Sequence, residues 1–289
     1  MVSIQNIEDS ALDMYARLNE NQLRHFFEPD KTGAFIAESA NVVQRALDAE
    51  YEPLSMLVED RYVETEAAEL IRKVSRIGEA EGREIPVYSA SLDVLSRLTG
   101  YHLTRGILAA FRRKPLVSVK SLCSDAKRIA ILEDVENPTN VGAIFRSAAA
   151  LSMDAVILTD DCSDPLSRRS SRVSMGTVFQ IPWTRFEEEK QRREAEPAWP
   201  DQGIRLLHTL GFTVISMALR NDTISIDDPL LREKEKIAVI LGNEGTGLKQ
   251  ETILRSDYTI RIPMREGVDS LNVAAASAVA FWELGRNRN

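Results

Sequence analysis

Three segments in the C-terminal half carry polar side chains where chemistry is possible, and the first is residues 134–146. It follows a predicted strand and opens a predicted helix. Asn140, near the start of that helix, could cap its free N–H groups, and Gly142 would let a ligand or a second backbone come close. Arg146 follows six residues later, and we expect it to project from a similar face further along. A helix cap without chemistry is the alternative interpretation.

The second segment, residues 240–249, runs from a predicted strand into a loop with three glycines. Such a loop can pass tightly around a ligand. Gly242 and Gly247 have the separation found in a phosphate-binding loop, but that motif requires Lys directly after the second glycine. Leu248 stands there instead, and Glu244 inside the loop would repel phosphates. The segment therefore indicates a ligand other than a nucleoside triphosphate.

The third segment, residues 262–280, contains a strand end, a loop and an alanine-rich helix. Ser270 is well placed to be the N-cap of that helix. The small residues would let the helix pack closely against other backbone. A structural role explains Ser270 but leaves the polar Asn272 in the first turn unexplained, so Asn272 is a candidate for function.

In this order the three segments resemble the motifs of the SpoU (TrmH-like) branch of the SPOUT methyltransferases, and the resemblance covers residues 129–284. It implies transfer of a methyl group from S-adenosylmethionine to a ribose 2'-hydroxyl of structured RNA, either ribosomal or transfer RNA. It also implies a C-terminal α/β fold with a deep trefoil knot that binds the cofactor in a bent shape, against the usual rule that chains are unknotted. A homodimer with active sites at the subunit interface is a further implication.

The resemblance also implies which residues are catalytic. The set comprises Asn140, Arg146, Glu244, Ser270 and Asn272. A ribose hydroxyl is a poor nucleophile at neutral pH, so the site must assist loss of its proton and stabilise the alkoxide that develops.

Arg146 is the residue that the resemblance places at the centre of catalysis. A histidine base is disfavoured because His25, His102 and His208 all lie outside the three segments. A guanidinium stays protonated, so we expect Arg146 to bind the adjacent phosphate and shield the growing charge, with proton loss late. Asn140 would orient Arg146 or the ribose. Glu244 could pair with an arginine or accept a bond from a ribose hydroxyl, with Ser270 and Asn272 holding the set in place.

Three loops enclose the cofactor in this family, and their backbone supplies most of the pocket. The corresponding residues are Met217, Ala218, Leu219, Leu241, Gly242, Ile262, Met264 and Leu271. For Met217 and Leu271, ordinary packing in the core is the alternative interpretation.

A basic cluster at residues 168–172 is the strongest candidate for RNA contact. It comprises Arg168, Arg169 and Arg172. A solvated helical face is the alternative, but in a methyltransferase we expect contact with RNA phosphates or with the neighbouring subunit. Arg105, close to His102, is a weaker RNA-binding candidate, for which an ordinary surface role is the alternative.

The elements that must position these residues fall into two α/β regions. In the first, strands at 35–37, 55–58, 86–88 and 106–111 alternate with helices at 41–49, 66–81 and 92–98, after a charged helical lead-in over residues 1–30. This region is similar to the small L30e-like substrate-binding domain found upstream in this family, through residues 35–39, 85–88 and 98–109. It departs from many relatives at Ser39, where they have glycine.

The second region has predicted strands at 129–132, 155–158, 178–181, 212–216, 237–241 and 258–262, and helices at 141–151, 203–210 and 271–284. Residues 187–202 look like an exposed insertion. We therefore expect an RNA-binding domain over 1–114, a linker over 115–128 and the methyltransferase domain over 129–289. The basic residues of the linker could be solvated or could help to hold an RNA backbone.

The composition is that of an ordinary globular protein, with 44% hydrophobic and 28% charged residues. A net charge of −8 argues against binding nucleic acid by bulk positive charge but permits a local basic surface. Cys123 and Cys162 match no metal or redox spacing, and no stretch approaches the ~18 apolar residues of a membrane span. We therefore expect a cytoplasmic protein with reduced cysteines, no metal and no membrane attachment.

Two alternatives follow from other classes of protein. A nicotinamide-dependent or Rossmann-type enzyme would have a Gly-x-Gly turn after an early strand, whereas residues 129–132 lead into Glu-Asp-Val-Glu-Asn-Pro. A non-catalytic RNA-binding or ribosome-associated module would have no need of the polar residues between Asn140 and Asn272.

Overall fold

The computed structural model describes residues 1–27, 32–99, 106–186, 198–220, 223–243, 245–267 and 270–285. The chain forms two compact units: the first combines Met1–Pro115 with Leu166–Phe179, and the second combines Leu116–Pro165 with Gln180–Asn289. Among the described residues, no helix has both the length and the apolar character needed to cross a lipid bilayer.

The described strands and helices alternate along most of the chain. The strands are β1 (Val2–Ile4), β2 (Ala34–Glu38), β3 (Pro53–Glu59), β4 (Val87–Ala90), β5 (Ile107–Arg112), β6 (Arg128–Leu132), β7 (Ala155–Leu158), β8 (Trp183–Arg185), β9 (Thr213–Met217), β10 (Ile224–Ser225), β11 (Ile237–Leu241) and β12 (Tyr258–Arg261). The helices are α1 (Asp13–Ala16), α2 (Glu20–Arg24), α3 (Ala40–Asp48), α4 (Ala68–Glu81), α5 (Leu92–Thr99), α6 (Val119–Leu122), α7 (Pro138–Ala150), α8 (Arg168–Val173), α9 (Asp201–Thr209), α10 (Pro229–Arg232), α11 (Gln250–Arg255) and α12 (Val273–Leu284).

The first unit is built on a five-stranded sheet in the order β1-β4-β3-β5-β2. Strands β1, β4 and β3 pair in parallel, whereas β5 runs antiparallel to both β3 and β2. Every residue of β2 is buried, as are the first five of β5, because helices and the N-terminal residues cover the sheet. Leu12, Tyr15 and Leu23 of those N-terminal residues belong to the same hydrophobic core.

A later segment, Leu166–Phe179, also belongs to the first unit. Arg168 donates a hydrogen bond from Nη2 to the carbonyl of Tyr15 at 2.8 Å. Arg172 forms an ion pair with Glu38, whose side chain is almost fully buried, at 3.2 Å. The ring of Phe179 lies 5.5 Å from that of Phe35, between centroids. This segment therefore completes the core of the first unit.

The second unit contains a seven-stranded sheet in the order β10-β12-β9-β11-β6-β7-β8, and all of its pairings are parallel. Every residue of β6, β7 and β11 is buried. Parallel strands of this kind are covered on both faces, which explains why they read as continuous apolar runs.

Most of the predicted elements are confirmed, and two are wrong. Residues 178–181 do not form a strand: Thr177–Phe179 is a short 3₁₀ turn, and β8 begins only after Pro182. The lead-in is not one charged helix, because Val2–Ile4 adds a strand to β4 and only short helices follow. Pairing with a distant strand leaves no local pattern in so short a segment.

Residues 115–128, which the sequence assigns to a linker, are integrated into the second unit from Leu116 onward. Val119 and Cys123 are fully buried in its core. Arg128 is also buried, and its guanidinium donates hydrogen bonds to the carbonyls of Leu284 and Glu235 at 2.8 and 2.5 Å. The charges suggested a solvated connector or an RNA contact, but Arg128 instead stabilises the fold.

Replacing Phe179 with alanine tests whether Leu166–Phe179 is part of the core of the first unit. Phe179 contacts the rings of both Phe35 and Tyr51, so we expect F179A to lower the free energy of unfolding by roughly 1–3 kcal/mol in urea denaturation. L254A, at a position that is 68% exposed, is the control and should change stability little. Equal effects of the two substitutions would contradict this packing role.

Candidate active site

The three loops that the sequence assigns to the cofactor follow three adjacent strands. In the second sheet β9 lies between β12 and β11, and all three run parallel. Their carboxyl ends therefore meet at one edge, where ligands bind in open α/β sheets. The described residues of these loops, 218–220, 242–243, 245–248, 262–267 and 270–272, leave the sheet at this edge.

A cavity of about 830 Å³ lies among these loops, within the range typical of small-molecule sites. All eight predicted cofactor residues line it: Met217, Ala218, Leu219, Leu241, Gly242, Ile262, Met264 and Leu271. Ser270 and Asn272, from the predicted catalytic set, line it as well. The core-packing alternative for Leu271 is wrong, because its side chain is 41% exposed.

A hydrogen bond between two asparagines joins the first and third segments. Asn272 donates from Nδ2 to Oδ1 of Asn140 at 3.2 Å. Its own Oδ1 accepts from the backbone N–H groups of Ala274 and Ala275, at 3.0 and 3.4 Å. The side-chain amide of Asn272 thus caps the start of α12 and binds the buried side chain of Asn140. This double role explains why position 272 is polar.

The predicted N-cap positions of α7 and α12 are both wrong. Asn137, and not Asn140, is the N-cap of α7, where it accepts from the N–H of Thr139 at 2.9 Å and precedes Pro138. Asn272, and not Ser270, is the N-cap of α12. Asn137 and Asn272 have non-helical backbone and accept hydrogen bonds from N–H groups in the first turn of their helices, which a sequence does not specify.

Arg146 lies on α7 with an exposed side chain, whereas Asn140 on the same helix is buried. At 100° per residue, six positions place two side chains about 120° apart around a helix. The two therefore do not share one face, contrary to the expectation. Arg146 is accessible to a ligand from solvent, while Asn140 acts from inside the fold.

The glycine-rich loop folds back on itself between β11 and α11. Asn243 and Gly247 exchange backbone hydrogen bonds at 3.2 and 2.9 Å. A Cβ atom on Gly242 would lie 2.6 Å from the carbonyl carbon of Gly247, so a side chain there would force the loop apart. Glu244, the predicted catalytic carboxylate, lies outside the described residues.

Lys249 at the end of this loop forms an ion pair with Asp134, the second residue after β6. Its Nζ lies 2.8 Å from Oδ2 of Asp134. Burial alone would lower the pKa of Lys249, but the hydrogen bond and charge of Asp134 outweigh this and raise it. Asn243 donates from Nδ2 to the carbonyl of Asp134 at 2.8 Å. Both ends of the loop are therefore anchored to the same residue.

Several lining residues are outside the predicted cofactor and catalytic sets. They are Arg220, Asn243, Gly245, Thr246, Gly247, Leu248, Gln250, Ile253, Ile260, Arg261, Val273 and Ala276. Arg220 and Arg261 are the charged residues among the described lining, and both are positive. Arg220 directly follows the predicted Leu219 and Arg261 directly precedes the predicted Ile262, so sequence adjacency was the signal that could have found them.

The three arginines predicted to bind RNA lie in the first unit, on α8. Arg168 and Arg172 are half-buried and bind Tyr15 and Glu38, as described above. Arg169 is exposed. The cluster is thus divided, with two side chains that hold the fold and one that faces solvent. Arg105 and His102 lie outside the described residues.

Together the fold and the cavity define an α/β protein with a small-molecule site at the carboxyl edge of a parallel sheet. Residues 127–282 match the family model of the SpoU rRNA methylases, so the chain belongs to that family. The predicted family membership and fold class are confirmed. The trefoil knot stays a prediction.

Individual relatives extend this similarity over nearly the whole chain. A Mycobacterium bovis protein described as an uncharacterised tRNA/rRNA methyltransferase is 38% identical over 97% of this chain and 90% of its own length. The 23S rRNA (guanosine(2553)-2'-O)-methyltransferase RlmP of Bacillus subtilis is 27% identical over 89% of this chain and 90% of its own. A solved AdoMet-bound rRNA methyltransferase from Sinorhizobium meliloti superposes with a TM-score of 0.77 at 22% identity, over 98% of this chain and 96% of that one.

The capping of α12 provides a direct test of the site geometry. N272A removes both the cap and the bond to Asn140, so we expect a loss of about 1–2 kcal/mol in unfolding free energy. N272D keeps an acceptor at the helix start but has no donor for Asn140, so it should recover only the capping part of the loss. S270A is the matched control and should cost less than about 0.5 kcal/mol. A loss in S270A as large as in N272A would show that Ser270 is the cap.

Proposed function

We propose that this protein transfers a methyl group from S-adenosylmethionine to a ribose 2'-hydroxyl of RNA. The observation that carries the proposal is the convergence of the three loops on one cavity, with Asn272 linking that cavity to Asn140 of α7. Relatives such as RlmP of Bacillus subtilis, a 2'-O-methyltransferase of 23S rRNA, support the same chemistry.

The described lining of the cavity fits the cofactor. Met217, Leu241 and Met264 offer apolar surface for adenine and the thioether chain, and the lining includes the ends of β9 and β11, where backbone polar groups leave the sheet ladder. Arg220 and Arg261 supply positive charge for a carboxylate. S-adenosylmethionine would supply a methyl group made electrophilic by the sulfonium. The residues of this chain then have to bind it, position the ribose and manage one proton.

Arg146 is suited to the ribose side of the reaction because it is exposed and carries a planar cation that binds phosphate in bidentate fashion. We propose that it binds the phosphate next to the reactive ribose and stabilises the negative charge that develops on the 2'-oxygen. Asn140 is buried and therefore orients its neighbours, with Asn272 fixing its amide. Glu244 and Ser270 complete the proposed catalytic set.

Substitution of Arg146 tests this role. We expect R146A to reduce methyl transfer to RNA by about 10²–10³-fold, because transition-state charge loses its partner, with cofactor affinity unchanged by calorimetry. R146K keeps the charge but not the bidentate geometry and should recover only part of the activity. R205A, at an exposed arginine on α9, is the control. Near-normal turnover in R146A would overturn the assignment.

We further propose that Arg261 binds the carboxylate of the amino-acid part of the cofactor. R261A should weaken binding of S-adenosylhomocysteine about tenfold, the effect of losing one charged hydrogen bond. Binding of 5'-methylthioadenosine, which lacks the amino-acid part, should be unchanged. R255A removes an arginine outside the cavity lining and is the control. Equal losses for both ligands, or a selective loss in R220A instead, would contradict the assignment.

The exposed apolar face of helix α12 supports the proposal that a second copy of this chain is a partner. Its sequence is apolar on nearly all sides, and Val279 and Trp282 are 40% and 49% exposed on one face. Helices that are apolar all around are normally buried, and C₂ dimers are the commonest assemblies of soluble proteins. The family resemblance implies a homodimer, and we propose that this face of α12 contributes to it.

We propose that the first unit binds the RNA substrate, as its similarity to the L30e-like domain implies. Arg169 is the member of the basic cluster that best fits a contact with a phosphate, because its side chain is exposed. Arg105 stays a candidate by resemblance. We place the protein in the cytoplasm, in keeping with the free, buried thiols of Cys123 and Cys162.

A further inference from the structure

Glu133 is a fully buried carboxylate that directly follows strand β6. Its Oε1 accepts a hydrogen bond from the backbone N–H of Lys249 at 2.6 Å. Its Oε2 accepts from Nε1 of Trp199 at 2.5 Å and from the hydroxyl of Thr252. Three donors from two separate parts of the chain thus converge on one side chain.

A charge in this position is costly. Removing a carboxylate from water carries a penalty of several kcal/mol, which hydrogen bonds and nearby positive charge must offset, and an apolar side chain of similar size is often as stable. Contribution to stability is therefore a weak reason for a glutamate at this place. The hydrogen-bond partners of Glu133 indicate a better reason for a glutamate at this position.

The partners of Glu133 fix the far end of the glycine-rich loop. Lys249 is the N-cap residue of α11, and its own side chain makes no capping bond. Glu133 binds the N–H at this N-cap and also Thr252 one turn into the helix. Between these anchor points, residues 242–243, 245–248 and 250 line the cavity. The near end is held where the N–H of Glu133 donates to the carbonyl of Leu241 at 2.9 Å.

We propose that Glu133 is a positioning residue for cofactor binding. It is not among the described lining residues, but it holds residues 242–243 and 245–248 of the glycine-rich loop in the shape that receives the ligand. Binding then does not have to order these residues. Ordering a flexible loop on binding costs affinity. This proposal rests on the proposed function, since it assumes that the cavity takes S-adenosylmethionine and its product.

The test compares E133Q with wild-type protein, using calorimetry with S-adenosylhomocysteine and hydrogen exchange of the free protein. The amide of the glutamine retains one acceptor oxygen. Its NH₂ group replaces the other carboxylate oxygen, so it faces donors that it cannot accept from. We expect about tenfold weaker binding, the usual lower range for outer residues that orient a site. We also expect faster exchange confined to residues 242–252.

Two controls separate positioning from general stability. E136Q makes the same chemical change at an exposed glutamate three residues away and should bind as wild type. V119A opens a cavity in the core of the same unit, where Val119 is fully buried, and should lower the melting temperature without weakening binding. The proposal would be overturned if E133Q bound S-adenosylhomocysteine within twofold of wild type. It would also be overturned if V119A, at a similar melting temperature, lost as much affinity as E133Q.

A milder substitution covers the case in which E133Q does not fold. T252V removes one donor at constant size, and we expect about threefold weaker binding with the loop exchanging faster; unchanged affinity would count against Glu133. If wild-type protein binds no S-adenosylhomocysteine, the proposed function fails. The exchange of residues 242–252 in E133Q or T252V then decides separately whether Glu133 holds the loop.

Discussion

The structure of the site depends on three adjacent parallel strands, β12, β9 and β11, that end at the same edge of one sheet. Strands β6, β7 and β11 are buried along their whole length. In the middle of such a sheet, a polar side chain is costly unless it finds a hydrogen-bond partner. Polar and flexible residues are therefore concentrated in the loops beyond the strand ends. Three such loops side by side enclose a cavity, even though a helix and a strand separate the second loop from the third along the chain.

Polar side chains connect these loops to the rest of the second unit. Asn272 acts through both ends of its amide, one on the backbone of α12 and the other on Asn140. Asp134 anchors the glycine-rich loop through Lys249 and Asn243, and Glu133 holds the helix that follows. The described cavity wall combines apolar side chains with polar groups. Apolar residues thus provide surface for the ligand, and hydrogen-bonded polar side chains determine where that surface lies.

The sequence predicted the site better than it predicted the details around it. Strands such as β7 and β11 were located to the residue because buried parallel strands are continuous apolar runs. All eight cofactor residues that the family resemblance implied line the cavity. The choice between Ser270 and Asn272 as N-cap depended on backbone angles that a sequence does not specify. The roles of Arg168 and Arg172 depended on contacts with residues more than 130 positions away, for which there is no local pattern.

Comparison of 2'-O-methylation across total RNA from cells with and without this gene tests the central claim most directly. The account predicts that at least one nucleotide of ribosomal or transfer RNA loses its 2'-O-methyl group without the gene and regains it when the gene is restored. Identical methylation maps from the two strains, under conditions in which the protein is produced, would contradict a role as an RNA ribose methyltransferase.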